Sequence, residues 1–314
     1  MSYANLHFQY IFGPVPSRRF GRSLGVDLIP HKTCSLNCIF CQLGRTTHQT
    51  VKRQEYVPIT DATHELQRWL EQEGAADYIA LSGSGEPTLH SHFARALNFV
   101  KEKTALPAVL LTNGSLMHVP AVRSAACKAD IVKITLCAWD HASYQWINRP
   151  HSTLDFKKVI KGQKIFRDNF NGEIWLEIFL LNGINSFPEN VEQIAHVAES
   201  IKPDRIQLNT VVRPPAENYA IPVPKSELKK LTTFFEPKAE VISDFDMVNQ
   251  TTEIDADTIL KLLRRRPCTG QDISNVFGLH PNETAKYLGL LLNQQKIIWQ
   301  KKENKLYYIV KNNT

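Results

Sequence analysis

The sequence predicts an α/β fold, namely a partial (β/α)6 TIM-like barrel with a C-terminal winged-helix domain. Two observations support the barrel: short apolar runs alternate with longer amphipathic stretches from about residue 24, and the alternation yields six strand candidates. A third observation, a change of pattern at Asp255, marks the second domain. We therefore predict a barrel domain over residues 1–254 and a winged-helix domain over residues 255–314.

The predicted barrel strands are short apolar runs, and amphipathic helical patterns lie between several of them. Strands followed by helices in this way favour a parallel sheet covered by helices, and six units make most of a barrel rather than an eightfold one. Ligands collect at the carboxyl ends of such strands, so the loops there carry the candidate site. The strand candidates are 23–29, 77–82, 108–112, 130–136, 173–181 and 205–209, and the helix candidates are 63–73, 92–103 and 188–201.

The predicted C-terminal domain follows a proline-rich segment, 210–224, which is expected to form an irregular loop closing over the sheet. After Asp255 the pattern indicates three helices and then two short strands. Three helices followed by a hairpin is the order of a winged helix, a relative of the helix-turn-helix. The helices are predicted over 255–266, 270–278 and 280–295, and the strands over 296–300 and 305–310.

The formal net charge of +6 is unevenly distributed between these two parts. Residues 255–314 hold ten Lys/Arg and five Asp/Glu, whereas residues 1–254 hold 27 basic and 26 acidic side chains. A basic winged helix favours nucleic acid, with the arginines 264–266 and the segment 301–304 as phosphate contacts. The helix 280–295 has one Lys and no Arg, and winged helices also bind peptides at the wing edge, so a peptide partner or a structural role stays open.

Composition and hydropathy indicate a globular protein of the reducing cytoplasm with no membrane partner. Apolar residues make up 43% and charged residues 22%, and the apolar run at 176–181 is too short to span a bilayer. The first twenty residues lack a basic-then-apolar export signal. The six cysteines are unevenly spaced and do not form a disulfide framework.

Three of the six cysteines fall within eight residues, CSLNCIFC (34–41), at offsets 0, 4 and 7. These offsets share one helical face, which is compatible with packing, but the stretch follows strand 23–29 and Pro30 and so lies in a strand-end loop. Structural zinc usually takes four ligands, and only His31 or His48 could complete a set here. Three thiolates with a vacant fourth position suit a [4Fe–4S] cluster that has one open iron.

A C-x3-C-x2-C motif after the first strand of a β/α barrel resembles the radical S-adenosylmethionine (radical SAM) superfamily. SGSGEP (82–87) at the second strand matches its GGE-type motif, and LNTVVRPPAE (208–217) resembles a branch of stand-alone Fe–S oxidoreductases, similar in part to wyosine-type tRNA-modifying enzymes. The resemblance implies that Cys34, Cys38 and Cys41 ligate a [4Fe–4S] cluster. It also implies S-adenosylmethionine on the open iron, cleaved by one electron to a 5′-deoxyadenosyl radical that abstracts a hydrogen atom.

The same resemblance implies a set of cofactor-binding residues in the strand-end loops. Glu86 would accept a hydrogen bond from the methionine ammonium, Phe40 would pack on adenine, and Ile184 would contact adenine from NGINS, which lacks the second glycine of the family's G-x-I-x-G segment. The full set implied is Phe40, Gly83, Ser84, Gly85, Glu86, Thr112, Asn113, Ile184 and Asn209.

No catalytic residue is assigned by these motifs, but Cys137 is a candidate. It stands after the fourth strand, where the branch often carries an acidic residue, and could be either a hydrogen donor or a packing residue. Arg149, His151 and Arg213 are strand-end candidates for gripping an anionic substrate, and exposed or ion-paired surface positions are the alternative for each.

The predicted activity is therefore a radical SAM enzyme acting on an unidentified substrate, which could be RNA, with electrons supplied by a flavodoxin- or ferredoxin-like donor. The absence of further cysteine pairs argues against an auxiliary cluster, and so favours a single hydrogen abstraction over sulfur insertion. Two alternatives stay open. One is an activase or modifier of a protein or peptide partner, and the other is a winged-helix regulator that uses the cluster as a redox sensor.

Overall fold

The architecture was obtained from a computed structural model, which describes residues 8–17, 21–72, 74–242, 255–302 and 304–311. The predicted domain boundary at 254/255 falls at the end of residues 243–254, which lie outside the described residues, so this boundary stays a prediction. Two parts can nevertheless be described, a large sheet wrapped by helices and a smaller group of elements after Asp255.

In residues 8–242, apart from the short gaps named above, the structure shows ten strands and seven α-helices. The strands are β1 (Ile11–Ser17), β2 (Gly21–Val26), β3 (Thr33–Cys34), β4 (His48–Gln49), β5 (Tyr78–Leu81), β6 (Ala108–Thr112), β7 (Ile131–Leu136), β8 (Glu173–Leu180), β9 (Arg205–Thr210) and β10 (Glu240–Val241). The helices are α1 (Ile59–Glu71), α2 (Phe93–Lys103), α3 (Pro120–Ala126), α4 (His141–Ile147), α5 (Phe156–Asn169), α6 (Pro188–Ile201) and α7 (Lys225–Leu231). No helix in the described part of the chain is both long and apolar enough to cross a membrane.

The six predicted barrel strands are β2, β5, β6, β7, β8 and β9, and they are parallel neighbours in one sheet of order β1-β2-β5-β6-β7-β8-β9-β10. Their side chains are mostly buried on both faces, because helices cover one face and the barrel interior the other. The predicted partial (β/α)6 barrel is therefore confirmed. The sheet also has a short parallel edge strand, β10, which the sequence analysis did not predict.

At the other edge lies β1, an antiparallel partner of β2 that was also not predicted. Its sequence, IFGPVPS, contains Pro14 and Pro16, and its register with β2 shifts between Phe12 and Val15. A side chain at Gly25 of β2 would collide with the ring of Phe12, which lies across the strand pair. This close approach brings an aromatic ring from β1 to the mouth of the barrel.

After Asp255 the chain forms three helices and three strands, α8 (Ala256–Arg265), β11 (Cys268–Thr269), α9 (Gly270–Phe277), α10 (Pro281–Asn293), β12 (Ile297–Lys302) and β13 (Lys305–Val310). The strands form an antiparallel sheet of order β11-β13-β12. All three predicted helices and both predicted strands are present. A separate apolar core, centred on Leu263, Ile273 and Leu288, holds them together. The assignment of this C-terminal module as a winged helix stays a prediction.

The C-terminal module contacts the barrel through the proline-rich loop after β9. Lys302 Nζ donates to the carbonyl oxygen of Arg213 at 3.2 Å, and the Tyr307 hydroxyl donates to the carbonyl oxygen of Val212 at 3.0 Å. Arg213 Nε donates in turn to the carbonyl oxygen of Pro267 at 3.1 Å. The predicted phosphate-contact segment 301–304 thus uses Lys302 for an internal contact, and its Glu303 lies outside the described residues.

Candidate active site

A cavity of about 420 Å³ opens at the carboxyl ends of the barrel strands. Loops after β2, β5 and β6 form one wall, side chains of β7, β8 and β9 form the floor, and residues of α8 close the opposite side. The location agrees with the expectation that ligands gather where parallel strands end. Of the predicted site residues, the lining contains Cys34, Cys38, Cys41, Phe40, Gly83, Gly85, Glu86, Thr112, Asn113 and Asn209.

The cysteine loop is held in place by backbone hydrogen bonds to two other parts of the barrel. Ile39 N–H donates to the carbonyl oxygen of Ile147 at 3.0 Å, and Asn37 N–H donates to that of Asn148 at 3.0 Å. Thr50 N–H donates to the carbonyl oxygen of Cys34 at 3.0 Å, which continues the short parallel pair of β3 and β4. The loop is therefore fixed at both ends, and its three thiols face one cavity.

Nitrogen donors are directed at the three sulfur atoms, and Cys41 accepts from the backbone N–H of Leu43. Cys34 Sγ accepts from Leu36 N–H and from Asn113 Nδ2, both at 3.5 Å, and Cys38 Sγ accepts from Asn148 Nδ2 at 3.3 Å. Burial raises the pKa of Cys34 to about 12 and also raises the pKa of Cys38 and Cys41. A metal centre would hold such thiols as thiolates, which only accept hydrogen bonds, so the donor set fits ligands of a metal cluster.

A mononuclear zinc site fits these residues less well than a cluster. Neither His31 nor His48 lines the cavity, so neither completes a set of four ligands with the cysteines. Among the described residues, no group of three or more His, Cys, Asp or Glu side chains is arranged to hold a single metal ion. A cubane differs, because each thiolate binds a different iron and the sulfurs stand further apart. The three cysteines thus fit a [4Fe–4S] cluster with one iron not bound by the protein.

Glu86 is buried beside the cysteines and accepts hydrogen bonds on both carboxylate oxygens. Its Oε1 accepts from Thr88 N–H at 3.0 Å and from the hydroxyls of Thr88 and Thr112, each at 2.6 Å, and its Oε2 accepts from Asn113 N–H at 2.8 Å. Burial raises the pKa of this carboxyl, and the four donors oppose that rise. Glu86 thereby joins the loop after β5 to the loop after β6, and Oε2 keeps acceptor capacity toward the cavity.

The glycines of SGSGEP allow this loop to approach its neighbours closely. Gly83 has φ +134°, and a side chain there would collide with the carboxylate of Asp27, while a side chain at Gly85 would collide with the carbonyl oxygen of Thr33. Ser84 does not line the cavity, because its hydroxyl donates to Asp27 Oδ2 at 2.6 Å and its N–H to Oδ1 at 3.1 Å. Ser84 therefore holds the loop against Asp27, and its position does not support the prediction that it binds the cofactor directly.

We expect Glu86→Gln to weaken S-adenosylmethionine binding by roughly ten- to a hundredfold, because a lost charge-assisted hydrogen bond costs about 1.5–3 kcal/mol. The backbone N–H groups of Thr88 and Asn113 donate to different oxygens of Glu86. In either orientation of the glutamine amide, its NH₂ group faces one of these N–H groups and cannot accept from it. Equilibrium binding to the anaerobic, cluster-containing protein measures the effect. Thr63→Val, at a half-buried position of α1 outside the cavity lining, controls for differences between protein preparations. Equal binding by Glu86→Gln and the parent protein would contradict the role of Glu86.

Cys137 lies behind the cluster loop rather than in the cavity. It is buried, and its thiol donates to Asn148 Oδ1 at 3.2 Å, while Asn148 Nδ2 donates to Cys38 Sγ at 3.3 Å. Burial raises the pKa of Cys137 to about 12, so the thiol keeps the proton that it donates. Cys137 therefore orients the Asn148 amide toward the sulfur of Cys38, a predicted cluster ligand. Because Cys137 does not line the cavity, its position does not support the prediction that it donates a hydrogen atom to the substrate.

Replacing Asn148 by Leu is expected to lower the reduction potential of the cluster. A hydrogen bond to a ligand sulfur stabilises the more negative, reduced state, and a loss of about 1 kcal/mol of that stabilisation corresponds to roughly 40 mV. A redox titration followed by electron paramagnetic resonance measures the potential at unchanged iron content. Asn190→Leu, in α6, serves as the matched control. An unchanged potential in Asn148→Leu would show that this contact does not tune the cluster.

A polar network covers the floor of the cavity, and of its members only Asn209 was predicted from the sequence. Lys133 Nζ of β7 lies 2.6 Å from Glu177 Oε2 of β8, and both side chains are buried. Thr135 donates to Glu177 Oε2 at 3.2 Å, and Asn209 Nδ2 donates to Glu177 Oε1 at 3.0 Å. Alternation along a half-buried strand is the signal that could have found these inward-facing residues. The network leaves the floor polar and ordered.

The predicted adenine contacts are placed differently from one another. Phe40 lines the cavity and stacks on Phe179 of β8, with ring centroids 4.2 Å apart and an interplanar angle of 17°. Ile184 packs in the apolar cluster behind these rings and is not part of the cavity lining. The two stacked rings thus form the aromatic wall, and the role of Ile184 as a cofactor contact stays a prediction that this position does not support.

The predicted anion-gripping residues have different environments. Arg149 donates to Glu217 Oε1 at 2.6 Å and to the Tyr219 hydroxyl at 2.8 Å, and Arg45 donates to both oxygens of Glu217 at 3.0 and 3.1 Å. These arginines hold the pKa of Glu217 below its usual range. His151 is outside the cavity lining, whereas Arg213 is part of it. Arg149 therefore clamps loops around the cluster segment and does not face the cavity.

One arginine of the run 264–266 forms a buried bridge between the C-terminal module and the barrel. Arg265 Nε donates to Asp27 Oδ2 at 3.1 Å, and its guanidinium lies over the Phe12 ring at 4.3 Å from the centroid. Only 10% of the Arg265 side chain and 7% of the Asp27 side chain are exposed, so Arg265 is not available to an external phosphate. Because Asp27 also holds Ser84, α8 is coupled to the SGSGEP loop.

Comparison with known proteins assigns this site to a family. The radical SAM superfamily model matches residues 28–200, more than half of the chain. The chain therefore belongs to the radical SAM superfamily, whose members use a [4Fe–4S] cluster and S-adenosylmethionine. This confirms the resemblance on which the cluster and the cofactor were predicted.

Among individual relatives, the chain is 32% identical to a UPF0026 protein of Helicobacter pylori (strain J99 / ATCC 700824) over 302 residues, which cover 93% of this chain and 94% of the relative. It is 35% identical over 299 residues to a protein of Brachyspira hyodysenteriae named GTPase Obg. That alignment covers 94% of this chain, but the chain spans only 44% of the length of that relative.

Two further similarities have lower sequence identity. A probable dual-specificity RNA methyltransferase RlmN of Streptococcus agalactiae (strain A909) is 20% identical over 193 residues, 57% of this chain and 50% of the relative. A solved structure of TYW1 with a lysine-pyruvate adduct bound has a TM-score of 0.53 and 15% identity, and covers 73% of this chain and 76% of that chain. The structural likeness shows the shared fold.

Proposed function

We propose that this chain is a radical SAM enzyme that abstracts a hydrogen atom from an RNA substrate bound at the junction of the barrel and the C-terminal module. The observation that carries the proposal is the composition of the 420 Å³ cavity. On the barrel side the cavity is lined by Cys34, Cys38 and Cys41. On the opposite side it is lined by Arg266 and neighbouring residues of the C-terminal module, which is basic. A reaction centre covered by a basic module suits an anionic macromolecule.

A cluster held by Cys34, Cys38 and Cys41 would supply the electron that breaks the bond between sulfur and C5′ of S-adenosylmethionine, which gives methionine and a 5′-deoxyadenosyl radical. In the proposed scheme Glu86 and the backbone of SGSGEP hold the methionine end of the cofactor, and Thr112 and Asn113 support Glu86 from the next loop. The stacked rings of Phe40 and Phe179 offer an apolar surface to adenine. Leu262 and Phe12 add apolar side chains to the cavity lining near α8, where they would limit the access of water to a reactive radical.

Two considerations support RNA as the substrate. The described part of residues 255–314 belongs to a module with a net charge of +5, and a winged helix is the expected nucleic-acid module in that position. Among the relatives, RlmN is named as an RNA methyltransferase. Electrons would come from a flavodoxin- or ferredoxin-like donor, as in radical SAM enzymes in general.

The test is stimulation of cofactor cleavage by RNA. Full-length protein, reconstituted anaerobically, is incubated with S-adenosylmethionine, a reductant and either total RNA or the same RNA digested to nucleosides. We expect 5′-deoxyadenosine to form faster with intact RNA, and deuterium from deuterated RNA to appear in it. A protein extract from the same cells is the comparison arm. Stimulation by protein and not by RNA would replace the proposal with an activase or modifier of a protein partner.

A further inference from the structure

A second cavity, here called the basic crevice, lies between the cysteine loop and the C-terminal module. It has a volume of about 180 Å³, and its charged lining residues are Lys32, Arg264 and Arg266, with His31 beside them. None of its lining residues in the described chain is Asp or Glu. We propose that the basic crevice is a phosphate-binding site, which holds a phosphodiester of the substrate strand next to the reaction cavity.

In the part of the chain that the structure describes, none of the three cations of the basic crevice has a carboxylate partner, although Lys32 lies near enough to Cys41 to oppose the rise that burial causes in the pKa of that thiol. Within the described residues, the side chains of Lys32 and Arg264 have no hydrogen bond or ion pair, and Arg266 Nε is buried without a hydrogen-bond partner. A buried donor that lacks an acceptor is unfavourable, and the large majority of such groups in proteins are satisfied. An anion in the crevice would supply the missing acceptor and the missing negative charge.

The backbone at Lys32 is held in a conformation that favours glycine. Lys32 has φ +59°, and three hydrogen bonds stabilise it: its N–H donates to the Ser84 carbonyl at 2.7 Å, and its carbonyl accepts from Thr47 and His48 N–H at 3.2 and 3.1 Å. Left-handed backbone at a non-glycine residue is concentrated at ligand-binding sites. The Lys32 amine lies close above Gly44, 3.3 Å from where a side-chain carbon would stand. A larger residue at 44 would crowd that amine.

The basic crevice lies next to the larger cavity that contains the cysteines. Arg266 and Gln42 line both the crevice and the larger cavity, and Gln42 directly follows the ligand Cys41. A group bound in the crevice is therefore adjacent to the entrance of the cavity that holds the cysteines. Arginine presents a planar fork that matches phosphate oxygens, and lysine adds a point charge, so this set suits phosphate better than a neutral ligand.

Phosphate contacts position a nucleic acid without reading its sequence. In this arrangement the crevice would hold the backbone of the strand while one nucleotide enters the cavity. Only the assignment of the phosphate to RNA rests on the proposed function. Binding of a phosphate group by the crevice can be measured without turnover, so the two can fail separately.

The experiment measures binding of inorganic phosphate, adenosine 5′-monophosphate and a short single-stranded RNA to the full-length, cluster-containing protein. The variants are Lys32→Asn, because asparagine tolerates a left-handed backbone, and Arg264→Gln. Lys286→Gln, exposed on α10, removes the same charge from the same module and is the matched control. We expect each crevice variant to weaken binding of all three ligands about tenfold, and to lower the logarithmic salt slope for RNA by about one.

Three results would be decisive. Loss of phosphate and nucleotide binding in the crevice variants, with Lys286→Gln unchanged, supports the phosphate site. Equal weakening by Lys286→Gln and the crevice variants, or no phosphate binding to the parent protein, overturns it. Crevice-dependent binding of the nucleotide with no binding of RNA supports the phosphate site and overturns RNA as the substrate.

Discussion

Replacing any one of Cys34, Cys38 or Cys41 by Ala is expected to reduce bound iron from about four atoms per chain to nearly none. In the proposed site each cysteine would be the one protein ligand of one iron, so the two remaining thiolates would leave two irons without a protein ligand. Hydrogen bonds from Asn113 and Asn148 orient Cys34 and Cys38, and they cannot replace a ligand. Iron analysis and the visible absorption of anaerobically reconstituted protein measure the loss.

Cys127→Ala is the matched control for these variants. Cys127 stands at the end of α3, where its thiol lies 3.6 Å from the carbonyl oxygen of Asn169, and it is outside the cavity lining. Its removal changes the cysteine count by one and leaves the site untouched, so iron content should match that of the parent protein. Binding of a single zinc and no iron by the parent protein would defeat the assignment of a cluster.

Arg265→Met is expected to destabilise the folded protein by about 3–5 kcal/mol, because it leaves the buried carboxylate of Asp27 without its cation. Asp27 also holds Ser84, so S-adenosylmethionine affinity should fall together with stability. Urea unfolding gives the free energy of unfolding, and equilibrium binding gives the affinity. Arg264→Met, the neighbouring exposed arginine of α8, should change stability by less than about 0.5 kcal/mol.

The double variant Asp27→Asn/Arg265→Met tests whether the pair itself is responsible. Removing both charges eliminates the uncompensated carboxylate, so a large part of the lost stability should return. If the double variant is as unstable as the sum of the two single variants, the two side chains act independently. That outcome would also remove the reason to regard α8 as coupled to the cofactor loop.

The parallel strands could be predicted from the sequence because burial of most of their side chains makes them short, mainly apolar runs. β6 and α6 coincide with their predicted ranges, 108–112 and 188–201. β1 escaped prediction because two prolines within seven residues argue against a strand. Several helices of the barrel were not predicted. α3 and α4 have seven residues each, which is too few to show a helical periodicity. α5 is longer, and its apolar residues at 156, 159, 160 and 166 do follow a helical period, so it could have been predicted.

Part of the candidate site could likewise be predicted from the sequence, and part of it could not. Ligands that are close in sequence, such as the cysteines 34–41 and SGSGEP, are recognisable because one loop carries each motif. Contacts between distant segments are not: Asn148 is 110 residues from Cys38, and Arg265 is 238 residues from Asp27. A single sequence contains no signal for such pairings. From the sequence, the arginines 264–266 were therefore predicted together as phosphate contacts, although the fold buries the middle one, Arg265, against the barrel.

The two edges of the eight-stranded sheet also determine how the protein should behave at high concentration. Exposed strand edges offer free N–H and C=O groups to other chains and so promote aggregation. Pro14 and Pro16 remove two donors from β1, and Val15 packs against the core of the C-terminal module. At the opposite edge, β10 (Glu240–Val241) is only two residues long and offers little to pair with. Within the described residues, neither edge of this sheet therefore offers a long row of unpaired backbone groups to another chain.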